Sequence, residues 1–264
     1  GAPTRWLRAT AQPVGTDGSV LLVVRDITET RRLDAIRRDF VANASHELKT
    51  PVASIRAAAE TLRDGAIDDP TAAHRFTEQL ERDADRLGRI VSDLLDLSRL
   101  ETGSERLDRA SLDAIAEDET ARRQTEAAAA DISLSVQVDG VPSIRGSARD
   151  LALMTGNLID NAIRYTPVGG SVSVEVRAER DTVVLRVRDT GVGIPQRDLP
   201  RIFERFYRVD QARSRETGGT GLGLSIVRHV SENHGGEVRV ESELGEGSTF
   251  EVRLPTTDER VGGS

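Results

Sequence analysis

The chain has 264 residues, about two domains' worth of globular protein, with 30% charged and 37% hydrophobic residues, enough apolar material for packed cores. Aromatics make up only 3%, so those cores are aliphatic. With 36 basic against 44 acidic residues the net charge is -8 and no long basic run appears, which argues against binding nucleic acid through its phosphates. The absence of cysteine excludes a disulfide framework, a thiolate zinc site and a cysteine nucleophile. No stretch approaches 18 apolar residues and no signal peptide is visible, so the expectation is a soluble, cytoplasmic piece. It begins with Gly1 rather than Met, which points to a processed or truncated chain.

The first element is a strand pair. Trp6–Ala11 and Ser19–Val24 flank a turn at Gly15-Thr16-Asp17-Gly18, the pattern of a hairpin. A lone hairpin is marginal in water, so residues 1–27 read as the end of a domain whose remainder lies elsewhere.

From Thr28 the period changes to three and four. Leu33, Ile36, Phe40, Ala44, Leu48, Val52, Ile55, Ala59 and Leu62 form an apolar stripe that ends near Gly65, Asp68-Asp69 and Pro70. A second stripe follows through Phe76, Leu80, Ala84, Leu87, Val91, Leu94, Leu97 and Leu100, and stops at Gly103. Helices of roughly 33 residues span on the order of 50 Å. A pair joined by a short loop cannot enclose so long a seam, so residues 28–104 are expected to dimerise into a four-helix bundle.

The remainder, 105–256, mixes the two periods. Helices are predicted over 111–130, 148–165, 198–206 and 221–233, and strands over 132–138, 172–178, 182–188, 237–243 and 248–254. This pattern predicts an α+β sandwich with helices on one face of a sheet. The tail 257–264 is polar and expected to be disordered.

Chemistry concentrates at four places. His46 stands in Ser45-His46-Glu47-Leu48-Lys49-Thr50-Pro51, beside the stripe rather than in it. Glu47 can take the second ring proton and sharpen the other nitrogen as a nucleophile. Thr50, four residues on, shares the helical face of His46 and can orient a water. Pro51 removes a helix hydrogen bond and tends to bend the rod. A metal reading fails because no second His follows at helical spacing. His74, His229 and His234 sit singly and read as solvated or capping side chains.

Asn157, Asn161 and Tyr165 fall at i, i+4 and i+8, on the face opposite Leu158, Ile159 and Ile163. Amide oxygens there can complete a magnesium shell otherwise made of phosphate and water. Asp189-Thr190-Gly191-Val192-Gly193-Ile194-Pro195 follows an apolar strand, where a carboxylate can accept the adenine amino group. Gly218-Gly219-Thr220-Gly221-Leu222-Gly223 opens a helix whose free N–H groups suit polyphosphate, and it matches neither the P-loop nor the dinucleotide fingerprint.

These motifs, in this order, resemble the cytoplasmic core of a bacterial two-component sensor histidine kinase. DFVANASHELKTP resembles the phosphoacceptor box, NLIDNAIRYTP the N box and DTGVGIP the first glycine box. IFERFYRVD resembles the F box, GGTGLGLSIV the second glycine box, and VVRDITETRRLDAIRRDF the junction between a PAS domain and its signalling helix. The resemblance implies a HisKA-type hairpin followed by a GHKL-type ATP-binding α/β sandwich.

It also implies transfer of phosphate from Mg-ATP to His46, with Glu47 as assisting base. Asn161 and Asn157 would lie at the magnesium, Asp189 at adenine, with Tyr165 lining the base and Gly191 and Gly193 shaping the pocket. Gly219, Thr220, Gly221, Leu222 and Gly223 would belong to the phosphate-covering loop, with Arg208 and, less strongly, Arg164 at the phosphates. The partners implied are a second copy of the chain and a response-regulator aspartate, with Thr50 placed for the reverse dephosphorylation. Full-length relatives of this kind are membrane-anchored. Related gyrase B and mismatch-repair ATPases carry a Glu where Asn157 stands, so this pocket is expected to hold ATP without rapid hydrolysis. Lys49, the only lysine, replaces a commoner Arg. The competing readings are a docking module without catalysis and a hydrolytic ATPase of the same fold.

Overall fold

The computed structural model describes residues 4–14, 19–102, 107–209 and 219–256. The Gly15–Gly18 turn, the stop at Gly103, Asp210, Gly218 and the tail 257–264 lie outside them. The chain divides into two compact units, 1–50 and 51–264.

In the first unit, β1 (Leu7–Val14) pairs antiparallel with β2 (Ser19–Asp26), giving the expected hairpin. Leu21, Leu22, Val23 and Val24 are all exposed, as two strands alone bury neither face. Helix α1 (Thr28–Arg63) starts in this unit and runs unbroken through Pro51. Its start is fixed by Asp26, whose carboxylate accepts the Thr28 N–H at 2.9 Å.

In the second unit, α1 ends at Arg63 and a short 3₁₀ turn (Ala66–Asp68) leads to α2 (Pro70–Thr102). Pro70 therefore opens the second helix as well as barring continuation of the first. Asp69 caps it, accepting from the Thr71 and Ala72 N–H groups at 2.9 and 3.3 Å. The α2 stripe is divided in a way its period did not predict. Ile90, Leu97 and Leu100 are buried, whereas Val91 and Leu95 are 43% and 66% exposed.

The rest of the second unit is a two-layer sandwich. Its elements are β3 (Asp108–Ala110), α3 (Leu112–Ala129), β4 (Ser133–Val138), β5 (Ile144–Gly146) and α4 (Ala148–Tyr165). They continue with β6 (Ser171–Glu179), β7 (Thr182–Asp189), α5 (Gly223–Asn233), β8 (Glu237–Glu243) and β9 (Gly247–Pro255). The main sheet runs β4-β6-β7-β9-β8, parallel only at β4–β6, and β3 pairs separately with β5. The expected helix over 198–206 is instead a chain of tight turns, each N–H reaching three residues back, at Asp198, Arg201, Glu204 and Tyr207.

Alternation decides which face is covered. Val172, Val174 and Val176 of β6, Leu185 and Val187 of β7 and Phe250, Val252 and Leu254 of β9 are buried. They meet Leu151, Met154, Leu158 and Ile159 of α4 and Ile226, Val227 and Val230 of α5, all fully buried. Each such side chain stabilises by about 1.5–3 kcal/mol. The outward residues form a charge lattice in which Arg186 bridges Glu175 and Glu251, and Arg253 bridges Glu251 and Glu179. This lattice covers the open face without burying it.

Candidate functional site

In the first unit, His46 is exposed on α1, between half-buried Ala44 and Leu48. The ring is therefore accessible, as its place beside the stripe requires. The Thr50 hydroxyl donates to the His46 carbonyl at 3.2 Å, so its proton is engaged within the helix while its lone pairs face outward. Glu47, adjacent in sequence, is half-buried.

The second unit holds a cavity of about 870 Å³ lined by α2, α4, the loop after β7, the turns before residue 209 and the loop into α5. Of the expected pocket residues, Asn157, Asn161, Arg164, Tyr165, Asp189, Gly193, Arg208, Gly219, Thr220, Gly221 and Gly223 line it.

At one end stands Asp189, the last residue of β7, only 5% exposed. Its Oδ1 accepts the Gly191 and Ser248 N–H groups at 2.8 and 3.1 Å. Burial pushes its carboxyl above the ordinary range, and those two hydrogen bonds offset part of the effect. One oxygen is thus fixed by backbone, and the other remains for a donor. Gly191 is packed here: a Cβ would fall 2.6 Å from both Asp189 Oδ1 and the Tyr165 carbonyl. Gly193 has φ 68° and a Cβ there would lie 2.0 Å from the Glu243 carbonyl, so it serves to seat the loop against the end of β8. Val192, Ile194, Pro195, Ile202 and Leu244 make this end apolar, as a purine ring needs.

Amides and arginines gather at the other end. Helix α4 is started by Ser147, whose Oγ accepts the Asp150 N–H at 3.2 Å, and its buried stripe turns Asn157, Asn161 and Tyr165 to the cavity. Asn157 donates from Nδ2 to the Leu153 carbonyl at 2.8 Å and directs Oδ1 at Gly223, where a Cβ would lie 2.6 Å away. A side chain so anchored is an acceptor and not a base. A Cβ on Gly219 would sit 3.7 Å from Arg164 and 3.8 Å from both Arg208 and the Tyr165 hydroxyl, so both arginines flank the start of the glycine loop. The Leu222 side chain is fully buried, does not line the cavity, and serves the core at the start of α5.

The donor set fits magnesium carried in by a polyphosphate and does not fit a resident ion. No cluster of three His, Cys, Asp or Glu residues stands ready among the described residues. Neutral amide oxygens of Asn161 and Asn157 can complete a shell that phosphates supply.

Two features of the site have no signature in the sequence. Asp93 and Asp96 of α2 also line the cavity, and the Thr220 hydroxyl donates to Asp93 at 2.6 Å. His234, expected to be solvated or capping, is buried. Its Nδ1 donates to the Val230 carbonyl at 2.8 Å and its Nε2 accepts the Ser147 N–H at 3.0 Å, tying the end of α5 to the start of α4.

Residues 36–103 match the family described as the His Kinase A (phospho-acceptor) domain. Residues 146–258 match the histidine kinase-, DNA gyrase B-, and HSP90-like ATPase family. Sensor-like histidine kinase SenX3 of Mycolicibacterium smegmatis is 42% identical over 238 residues, 89% of this chain and 62% of that protein. The phosphate regulon sensor protein PhoR of Pseudomonas aeruginosa is 38% identical over 232 residues, 87% of this chain and 52% of its own. The chain thus spans less than two thirds of these relatives' length. Full-length ShkA, crystallised with AMPPNP, is 27% identical with a TM-score of 0.58, covering 82% of this chain and 45% of that one. Histidine kinase ThkA in complex with response regulator protein TrrA has a TM-score of 0.70 over 96% of this chain and 75% of that one; at 19% identity it shows the fold alone. The chain thus carries the two matched domains, a His Kinase A (phospho-acceptor) domain followed by a histidine kinase-, DNA gyrase B-, and HSP90-like ATPase domain, and over most of its length it is similar to sensor histidine kinases.

Proposed function

We propose that the chain is the kinase core of a two-component sensor: it binds Mg-ATP and transfers the γ-phosphoryl group to His46. The observation that carries this reading is the polarity of the cavity. A fixed carboxylate in an apolar wall stands at one end, and two amides with two arginines stand at the other. An adenine donates its amino group to Asp189, and Arg164 and Arg208 receive the phosphates. Asn161 and Asn157 hold the cation, which supplies partial neutralisation of phosphate charge.

In the transfer, an imidazole nitrogen of His46 forms a bond to the γ-phosphorus as the bond to the bridging oxygen breaks. That electron pair leaves on ADP, and the imidazole proton passes to Glu47. Because Asn157 cannot activate water, the terminal phosphate is kept for the histidine. The phosphoryl group then passes to an aspartate of a response regulator, and Thr50 is placed to assist the reverse hydrolysis by orienting water.

Residues 28–104 serve as dimerisation and phosphoacceptor region and 105–256 as ATP-binding domain. The hairpin within 1–27 belongs to a PAS-like sensor domain. A second copy of the chain covers the exposed apolar face of α2. Among the described residues no helix is long and apolar enough to cross a membrane; any anchor of the whole protein belongs to other segments.

Incubation with γ-labelled Mg-ATP tests the reading. An acid-labile, base-stable label is expected on the wild type and absent from His46→Gln and Asn161→Asp. A label that survives His46→Gln overturns it. Repeated turnover of ATP without a phosphoprotein favours a hydrolytic ATPase, and no label or turnover at all favours a docking module.

A further inference from the structure

The last turns of α2 lie against the ATP-binding domain through charged groups. Arg99 pairs with Asp150 at the start of α4 at 2.7 Å, and Glu101 pairs with Arg205 at 2.6 Å. Asn233, at the end of α5, donates to the Leu100 carbonyl at 3.2 Å. About two turns further back, Asp93 projects into the phosphate end of the cavity and accepts from the Thr220 hydroxyl. Thr220 in turn accepts the Leu222 N–H at 3.2 Å, so the contact reaches the first free N–H groups of α5.

Asp93 differs from the other carboxylates on this wall. Asp96 has Arg99 and Arg149 within 4 Å, and Glu119 and Asp160 share Arg123. Among the described residues Asp93 has no ion-pair partner at that range; burial, and to a lesser degree the charge of Asp96, disfavour its anion, while the Thr220 hydrogen bond and the charges of Arg164 and Arg89 favour it. Its carboxylate is held by a hydroxyl of the glycine loop in the same cavity wall as an arginine of the phosphate end. A nucleotide phosphate would be held in the same way.

Resting on the ATP-binding reading above, we propose that Asp93 is a built-in competitor for the polyphosphate. Its carboxylate occupies the loop's donor and lines the same cavity as Arg164, so docking of α2 and binding of nucleotide oppose each other. Entry of the phosphates places like charge beside Asp93, breaks the Thr220 hydrogen bond and releases α2 from the glycine loop. Nucleotide binding thereby loosens the helix that follows the phosphoacceptor helix. By reciprocity, any force that pulls α2 away raises nucleotide affinity. Burial pushes the Asp93 carboxyl above the ordinary range, so a neutral isostere is compatible with the fold.

The test compares Mg-ATP and adenosine binding, by calorimetry, to wild type, Asp93→Asn and Asp93→Glu. Asp93→Asn is expected to bind Mg-ATP about fivefold or more tightly with adenosine unchanged, and Asp93→Glu to stay near wild type. Equal Mg-ATP affinity of Asp93→Asn and wild type overturns the competitor while leaving the ATP reading intact. So does an equal gain for adenosine, which carries no phosphate. If no variant binds either ligand, the ATP reading falls and the competitor falls with it. Should Asp93→Asn not fold, Glu101→Gln removes a pair from the same docked face and must raise Mg-ATP affinity; no gain there overturns the proposal.

Discussion

Asp189 carries conflicting demands on stability and binding. Its burial raises its pKa, so the folded chain holds that proton more tightly than the unfolded chain does. The sign follows: this residue's contribution to stability increases as pH falls through its raised pKa toward the ordinary carboxylate range, and decreases on the way back up. Asp189→Asn retains an oxygen for the Gly191 and Ser248 N–H groups and removes the buried charge. It is expected to melt at a higher temperature than wild type near neutrality, with the advantage shrinking on acidification, as thermal unfolding across pH would show. The same substitution is expected to weaken ATP binding about tenfold to a hundredfold, the worth of a hydrogen bond to a charged acceptor. GTP presents an acceptor where ATP presents a donor, so wild type should reject it by a similar factor; equal affinities in a competition titration would contradict this role. Asp189, Asn157 and Asn161 were legible in sequence because each sits at a fixed phase of a strand end or helix face. The inward turn of the Leu222 side chain was not legible, because a motif lists consecutive residues, whereas a loop turns alternate ones toward the core.

At the scale of elements, period was a good guide wherever a segment was long. Helix α4 and strand β8 fall where their periods place them. The three-residue strands β3 and β5 carry no readable alternation, and they form by pairing with each other. The 198–206 stretch has helical spacing of Leu199, Ile202 and Phe203, yet its backbone stops at successive turns, and Phe206 takes φ 62° beside Gly221. The strut made by His234 was invisible for another reason: its partner Ser147 lies 87 residues away. Because Val230 offers only a carbonyl, Nδ1 carries the proton and Nε2 is the acceptor. His234→Ala leaves the Ser147 N–H without that acceptor and is expected to lower unfolding free energy by about 1–3 kcal/mol in urea titrations. An unchanged midpoint would show that the strut carries no stability.

For the whole molecule, the helical hairpin gives a definite expectation about assembly. Val91 and Leu95 lie one turn apart on α2, exposed, while Asp93, Leu97 and Leu100 turn the other way to the ATP-binding domain. One face of the helix is thus committed within the chain and the other awaits a copy. Light scattering is expected to give a dimer for the wild type and a monomer for Leu95→Glu; a monomeric wild type at micromolar concentration would contradict the bundle. Domain order was readable from the change of period near residue 105. The contact between Asp93 and Thr220 spans 127 residues and follows only from how α2 lies on the sandwich. The most direct measurement is the intact mass of the chain after exposure to Mg-ATP, followed by peptide mapping at alkaline pH. The prediction is a gain of one phosphoryl group, confined to the peptide containing His46 and lost on acidification. A phosphoryl group on any other residue, or an unmodified chain that nonetheless binds ATP, would contradict it.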